Sequence, residues 1–285
     1  MLSSARGPLF RVSGFLFSAA MSLQVVVNFK VIDESDDWIV VDKPAPLIVH
    51  PANRKPEPTL LGGIEQLLAY EMENGACPAI VNRLDRDTSG VVLVAKHTAA
   101  ARELGMIFER REVSKEYLAV VIGWPDVDEW ECAEPIIRAG EIGASAIWVR
   151  QVVHAAGRDC CTRFRVERRF EREEGRFSLL RCFPETGRMH QIRVHLAHGG
   201  HPVLGDKLYS GDGSEYIEWM ASGWTPELKK ALLLPRHALH AAKLGLPLGG
   251  RRFEWKAELA CDLADFIDGK DVQETPGVVI WSRHD

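Results

Sequence analysis

The sequence has no long apolar run and few cysteines. No segment holds eighteen consecutive apolar residues, so no transmembrane helix is expected. The six cysteines among 285 residues include one adjacent pair but no Cys-x-x-Cys spacing. This pattern excludes a disulfide framework and a cysteine zinc site, and it is typical of a reducing compartment. We therefore expect a cytoplasmic protein that makes no membrane contact.

Internal repeats, low-complexity tracts and a positive net charge are also absent. The net charge of −5 argues mildly against a nucleic-acid partner, because Lys and Arg make phosphate contacts. The charge distribution weakens that objection, since residues 150–210 hold twelve Lys and Arg against seven Asp and Glu. A basic middle between acidic ends is compatible with one RNA-facing surface.

Short strand-like and helical segments alternate from residue 25 onward. With 46% hydrophobic residues, the chain can bury a large core as one big domain or two smaller ones. The segments mix without strict βαβ repetition, which favours an α+β fold with a mixed or mostly antiparallel sheet. We predict strands over 38–41, 91–95, 117–122 and 177–183, a helix over 60–72, and a second helix that Thr98 caps and that runs through Phe108. Residues 211–231, which contain Gly, Ser and Trp, are expected to be a surface insertion.

The stretch Asn82–Gly90 places a carboxylate between two arginines on a turn. Its sequence is Asn-Arg-Leu-Asp-Arg-Asp-Thr-Ser-Gly, and the apolar run 91–94 follows directly. Catalytic groups are commonly held on a polar turn mounted on a buried strand, because the strand fixes position and the turn gives access. Taken alone, a solvated surface turn remains the simpler interpretation of Asp85.

A second segment, residues 185–202, holds an arginine inside an apolar stripe. Thr186 predicts the start of a helix and Gly199 its end. Helical spacing then puts Arg193 on a face with apolar side chains. A buried guanidinium cannot discharge itself and needs an anionic partner, for which Asp85 is chemically suitable.

These two stretches carry a resemblance to a known family. Residues 82–90 resemble the His-Arg-Leu-Asp-x-x-Thr-Ser-Gly signature of the RluA-type pseudouridine synthases, and residues 186–206 resemble their second signature. Asn82 stands where the family usually has His, so the subfamily and its RNA target stay open. Three shorter matches lie in the expected order, namely Asp42-Lys43-Pro44, Lys115-Glu116-Tyr117-Leu118-Ala119 and Leu239-His240-Ala241.

The resemblance implies that the protein isomerises a uridine of structured ribosomal or transfer RNA to pseudouridine. The base flips out, the N-glycosidic bond breaks, and uracil C5 rejoins C1′ of the ribose. No group is gained or lost, so neither a cofactor nor a metal is required. The implied pseudouridine synthase fold is a long bent sheet, flanked by helices, with a central RNA-binding cleft. Residues 23–285 would form this catalytic domain, which we expect to be a monomer.

The resemblance also implies roles for individual residues. Asp85 is the expected catalytic residue, which attacks C1′, stabilises charge on the ribose or removes a sugar proton. Arg193 would keep it ionised, and Tyr117 would support the uracil face and assist proton transfer at C5. Arg83 would fill the stack that the flipped base vacates. The uracil pocket would be walled by Ile192 and Leu196. Further RNA contacts are expected from Lys43, Arg188 and His190.

Three alternatives remain open at this level. A non-catalytic RNA-binding protein could keep the scaffold without the chemistry. A nucleoside or glycoside hydrolase would need a second carboxylate, for which Asp87 is the near candidate, although we expect it to point elsewhere. A metal site could use the histidines of the second segment, but no thiol or acidic ligand lies at tight spacing. Those histidines are His190, His195, His198 and His201.

The first 22 residues need a separate interpretation. They contain two arginines, no acidic residue and the short apolar patch Phe15-Leu16-Phe17, which resembles an export or organellar leader. The apolar patch is too short for a good signal peptide, so we favour translation from Met21. Residues 1–22 are then a leader or a spurious extension, and we expect them to be disordered.

Overall fold

The computed structural model describes residues 27–51 and 57–272. The interpretation of residues 1–22 falls outside this range. No helix of the described residues is long and apolar enough to span a bilayer. Their strands are β1 (Lys30–Glu34), β2 (Trp38–Lys43), β3 (Ala79–Ile80), β4 (Ser89–Ala95), β5 (Ser114–Ile122), β6 (Glu129–Cys132), β7 (Ile136–Arg138), β8 (Gln151–Val153), β9 (Thr162–Arg172), β10 (Gly175–Pro184), β11 (Leu239–Leu248) and β12 (Arg251–Lys256). Their α-helices are α1 (Leu60–Leu67), α2 (Ala69–Glu73), α3 (Thr98–Glu109), α4 (Gln191–His198), α5 (Ser214–Ser222), α6 (Pro226–Leu232) and α7 (Cys261–Ile267).

Ten of the described strands form one sheet. Its order is β1-β2-β4-β11-β5-β10-β9-β6, with β12 paired to β11 and β3 paired to β4. All of these pairs are antiparallel except β4 with β11, which pair in parallel over only two residues of each strand. The predicted α+β class with a mixed, mostly antiparallel sheet is therefore confirmed.

Strand β4 is buried on both faces, which explains its unbroken apolar run. Val91, Leu93 and Ala95 pack in a cluster with apolar residues of α3. Val92 and Val94 pack on the opposite side with apolar residues of α1. Successive side chains of a strand point to opposite faces, so a strand covered on both sides carries apolar residues at consecutive positions, here from Val91 to Ala95. This strand is the rigid support of the turn that precedes it.

Three predicted helix boundaries differ from those observed. The helix predicted over 60–72 is divided at Leu68 into α1 and α2. Helix α3 is capped by the His97 side chain, which accepts a hydrogen bond from Ala100 N, and Thr98 is its first residue. Thr186 does not cap α4: its hydroxyl donates to Gln191 Oε1, and the helix starts only at Gln191. The end predicted at Gly199 is confirmed.

Residues 211–231 hold α5 and most of α6. Helix α5 has no buried residue, and exposed apolar side chains include Ile217 and Met220. Helix α6 is anchored by the buried Leu228 and Leu232. Whether the segment is an insertion stays a prediction, but it places an exposed helix near the turn that carries Asp85.

Candidate active site

The Asn82–Gly90 turn is anchored at both ends. The Asn82 amide donates to Val91 O (3.2 Å) and its Oδ1 accepts from Leu93 N (2.7 Å). At the other end, Thr88 Oγ1 lies 2.7 Å from His237 Nε2. Burial lowers the pKa of His237 well below its ordinary value, so this ring is neutral. Asn82, which departs from the family signature, thus ties the turn to β4.

Gly90 allows the strand behind the turn to approach β11. Its φ is +112°, and a Cβ at this position would lie 2.2 Å from Ala241 O. Only glycine adopts this backbone angle without strain and leaves space for the neighbouring carbonyl. The parallel pairing of β4 with β11 therefore requires glycine at position 90.

Asp85 and Arg193 meet, although 108 positions separate them in the chain. Arg193 Nη1 donates to Asp85 Oδ2 at 2.8 Å. The Arg193 side chain is 6% exposed, whereas 28% of the Asp85 side chain is exposed. The pair thus joins a buried cation to a carboxylate that opens onto a cavity.

Asp206 is the second and more deeply buried partner of Arg193. Arg193 Nε and Nη2 donate to its two carboxylate oxygens at 2.7 and 2.8 Å, and the Asp206 side chain is fully buried. Two parallel bonds fix the plane of a guanidinium as well as its position. Arg193 is therefore oriented by Asp206, and its remaining nitrogen is aimed at Asp85.

The electrostatic surroundings favour an ionised Asp85. Burial alone raises the pKa of this carboxyl, but His190 and then Arg193 lower it below its ordinary value. Burial and the charge of Arg193 lower the pKa of His190 to about 4. His190 is therefore neutral at pH 7, and the permanent charge of Arg193 is the contribution that persists there.

A cavity of about 410 Å³ lies over this pair. Asp85, His190 and Arg193 form part of its wall, together with the aromatic residues Tyr216 and Trp219 of α5. This volume is in the range of small-ligand sites. A polar floor with an ionised carboxylate and a partly aromatic rim suits a nucleotide.

The family follows from comparison with known proteins. Residues 37–198 match the family model described as RNA pseudouridylate synthase. The chain belongs to this family. The enzymes of the family isomerise uridine to pseudouridine in RNA, so the predicted family and activity are confirmed.

Curated relatives and solved structures agree with this assignment. The Ribosomal large subunit pseudouridine synthase D of Escherichia coli (strain K12) is 34% identical over 265 residues, covering 90% of this chain and 75% of the relative. The protein of the same name from Salmonella typhimurium is 36% identical over 261 residues, with the same coverage. Human RNA Pseudouridylate Synthase Domain Containing 4 shares the fold, with a TM-score of 0.65 at 22% identity over 84% of this chain and 92% of that one.

Lys43, a residue of the family's entry segment, is not an RNA contact in this structure. Its side chain is fully buried, and Nζ donates to Pro44 O and Leu47 O (both 2.8 Å) and to Arg86 O (3.1 Å). Burial lowers its pKa to about 7. The prediction of a direct contact is corrected: Lys43 ties the chain after β2 to the turn that carries Asp85.

Tyr117 lies on β5 between the two halves of the sheet. Its cross-strand partners are Cys182 on β10 and Ala241 on β11. Burial and the negative charge of Asp85 raise its pKa, so the hydroxyl keeps its proton. The ring packs against two hydrophobic clusters and stays half-buried.

Ile192 and Leu196 lie in the core. They are 6% and 1% exposed and belong to one of the clusters that Tyr117 contacts. Neither lines the cavity above Asp85. Their predicted contact with uracil is not supported by this placement, because side chains of α4 are buried all around its first six residues.

The outer arginines differ in their surroundings. Arg83 is exposed, as a residue that enters an RNA stack must be. Arg188 is half-buried and donates through Nε to Asp159 O at 3.3 Å. The basic middle is largely compensated, because six arginines of β9 and β10 pair with carboxylates, which weakens the predicted RNA surface there. These six are Arg163, Arg165, Arg169, Arg172, Arg176 and Arg181.

The four histidines of the second segment do not form a metal site among the described residues. His195 is buried and bonded to Thr162 Oγ1 and Glu134 O, both at 3.0 Å, whereas His198 is exposed. His201 bonds to Ile122 O. Among the described residues, one group has metal-ligand spacing, and it consists of Glu131, Cys161 and Glu185. None of these three residues lines the cavity over Asp85.

Several residues of this site have contacts that could not be predicted from the sequence. Asp206 stands at the end of the second signature, and nothing in the sequence marks it as the partner of Arg193. No sequence pattern marks Tyr209 or Lys207, because their roles depend on contacts with residues that are distant in the chain. Lys207 Nζ donates to Asp87 Oδ2 at 3.1 Å.

Proposed function

We propose that the protein isomerises a uridine of large-subunit ribosomal RNA, with Asp85 as the catalytic residue. The names of the relatives support the choice of RNA. The observation that carries the proposal is the ionised Asp85 carboxylate on the wall of a nucleotide-sized cavity, oriented by Arg193. The reaction gains and loses no group, so it proceeds without a cofactor.

The two oxygens of Asp85 have different surroundings. Oδ2 accepts the hydrogen bond from Arg193. Among the described residues, Oδ1 accepts no side-chain hydrogen bond, so it is the oxygen available to the ribose. A carboxylate held by one oriented guanidinium needs no reorganisation when positive charge develops at C1′, and such preorganisation is a large contribution to catalysis.

Tyr117 and Arg83 belong to the proposed site as well, although neither lines the cavity over Asp85. The Tyr117 hydroxyl, protonated because its pKa is raised, is suited to proton transfer at C5 of the rotated uracil. Arg83 is exposed on the same turn as Asp85, where a planar guanidinium can occupy the gap left by the flipped base. Flipping costs a few kcal/mol, roughly, which such stacking offsets.

The rim of the cavity provides further RNA contacts. Arg86 and Lys207 approach the Trp219 ring, at 5.8 and 5.1 Å from its centroid. The indole can stack a base and the exposed Arg86 can attract an adjoining phosphate, whereas the buried Lys207 is paired with Asp87. This arrangement supports RNA more than a free nucleoside as the substrate.

The hydrolase alternative depends on Asp87 as its second carboxylate. Asp87 does line the same cavity, contrary to our expectation that it points elsewhere. Its Oδ2 accepts a hydrogen bond from the Lys207 ammonium, so the carboxylate is held in an ion pair at the cavity wall. Release of free uracil is the result that distinguishes this alternative.

The experiment compares Asp85→Asn with a control variant, Asp36→Asn. The control removes one exposed carboxylate between β1 and β2. Each variant is incubated with large-subunit ribosomal RNA, and pseudouridine, free uracil and RNA binding are measured. We expect Asp85→Asn to bind RNA and form no pseudouridine, while Asp36→Asn behaves as the unmodified chain. Turnover by Asp85→Asn, or release of free uracil, would refute the proposal.

A further inference from the structure

We propose that His190 is a further catalytic residue, whose Nε2–H donates a hydrogen bond to uracil O2 as the glycosidic bond breaks. The inference rests on the proposed function of Asp85. It starts from the pattern of hydrogen bonds around the imidazole, which fixes the nitrogen that carries the proton.

Tyr209 determines the tautomer of His190. The Tyr209 hydroxyl oxygen accepts a hydrogen bond from Gln151 N at 2.9 Å, and a backbone N–H can only donate. Among the described residues, His190 Nδ1, 2.8 Å away, is the one acceptor within hydrogen-bond distance of this hydroxyl, so the buried proton is directed to it. Burial raises the pKa of Tyr209, so this proton is retained. Nδ1 is therefore an acceptor.

The imidazole carries its single proton on Nε2. Burial and the charge of Arg193 lower its pKa to about 4, although Asp85 and Asp206 act in the opposite direction. Tyr209 also faces the ring. A neutral ring with an acceptor at Nδ1 must be protonated at Nε2. The ring therefore presents one fixed N–H donor.

This donor is unused in the described part of the chain. Nε2 lies 3.9 Å from Asp85 Oδ2, which is beyond hydrogen-bond distance. The side chain is 10% exposed, and its residue lines the cavity over Asp85. A buried N–H beside a catalytic carboxylate, with space for an acceptor next to it, fits a substrate oxygen.

The backbone at His190 also departs from the ordinary. Its φ is +57°, in the left-handed region, directly before the first residue of α4. Such a conformation is strained for a non-glycine residue and persists where the surroundings require it. Here it places the ring between Tyr209 and Asp85.

The chemistry needs a donor at this point. When the C1′–N1 bond breaks, its electron pair stays with the uracil ring and is shared with O2. O2 is attached to the ring carbon next to N1, so it lies close to C1′ and hence to Asp85. A hydrogen bond to O2 becomes stronger as this charge develops, and it thereby lowers the barrier.

The test compares His190→Gln with His190→Asn. The amide nitrogen of Gln can occupy the position of Nε2, whereas that of Asn reaches only as far as Nδ1. Loss of one donor to a developing oxyanion typically lowers kcat about 100-fold. We expect His190→Asn to lose about that factor in kcat with little change in KM, and His190→Gln to recover roughly tenfold. Unchanged kcat in His190→Asn, or equal losses in both variants, would overturn the proposal.

A substrate with 2-thiouridine at the target position provides the second arm. Sulfur is a poor acceptor, so the difference between the unmodified chain and His190→Asn should shrink several-fold on this RNA. An undiminished difference would place the donated hydrogen bond on another atom and refute the assignment to O2. The two proposals fail differently: turnover by Asp85→Asn removes both, whereas inactive Asp85→Asn beside fully active His190→Asn removes only this one.

Discussion

Asp206, rather than Asp85, should dominate the stability of the active-site ion pairs. Removal of Arg193 itself would leave a fully buried Asp206 without its cation, at a cost of roughly 3–5 kcal/mol. The informative comparison is Asp206→Asn against Asp85→Asn, because both remove one negative charge from the same guanidinium.

The magnitudes follow from burial and bond number. Asp206 is fully buried and accepts two hydrogen bonds from Arg193, so Asp206→Asn should lower the free energy of unfolding by roughly 3–5 kcal/mol. Asp85 accepts one such bond and is 28% exposed. Arg193 keeps its bidentate partner in Asp85→Asn, so this change should cost only about 1–2 kcal/mol.

The assay is urea unfolding at pH 7, followed by circular dichroism, with equal slopes required for the comparison. Asp262→Asn is the matched control, because Arg236 Nε and Nη2 donate to Asp262 at 2.6 and 2.8 Å in a second buried bidentate pair. We expect its cost to resemble that of Asp206→Asn. Equal costs for Asp85→Asn and Asp206→Asn, or the reverse order, would refute the reasoning.

Three further changes test other parts of the structure. The pKa of Lys43 is about 7 in the folded chain and ordinarily 10.5. Between pH 7 and 10.5 the unfolded chain therefore binds one more proton at Lys43 than the folded chain does. The unmodified chain should gain up to about 1.4 kcal/mol of stability per pH unit from pH 7 to 10 relative to Lys43→Met, and parallel pH profiles would contradict this. Gly90→Ala should lower the free energy of unfolding by more than about 3 kcal/mol, because the added Cβ meets Ala241 O. In the control Gly105→Ala, the added Cβ meets nothing within 4 Å, and the change should stabilise α3 by about 0.5–1 kcal/mol. Similar urea midpoints for the two variants would be inconsistent with this packing. Trp219→Ala should raise KM for RNA about tenfold or more with little change in kcat, as the loss of one stacked base predicts, and an unaltered KM would exclude stacking there.

Much of the sheet could be predicted because burial leaves a direct pattern in the sequence. The run before Ala95 is apolar at every position because helices cover both faces of β4, and the sequence therefore predicted this strand correctly. The second segment predicted a buried arginine, because Arg193 lies among apolar residues. In both cases the signal is local, and the nearest neighbours in sequence are also neighbours in the fold.

Other features depend on contacts that a linear pattern does not contain. Most lysines are exposed, but Lys43 is fully buried because three carbonyl oxygens surround Nζ, two from the segment after β2 and one from the turn that carries Asp85. The late start of α4 reflects the left-handed backbone at His190, which tertiary contacts impose. Asp206 could be recognised as a partner of Arg193 only when the loop after α4 had been placed.

The short parallel contact between β4 and β11 also has a consequence for synthesis of the protein. Strand β11 lies between β4 and β5 in the sheet, so it joins the half that carries Asp85 to the half against which α4 packs. A nascent chain that ends before residue 239 contains both Asp85 and Arg193 but lacks the strand that holds their supports together. Long-range pairings of this kind form late in folding. We therefore expect Asp85 to acquire its Arg193 partner only after nearly the whole chain has left the ribosome.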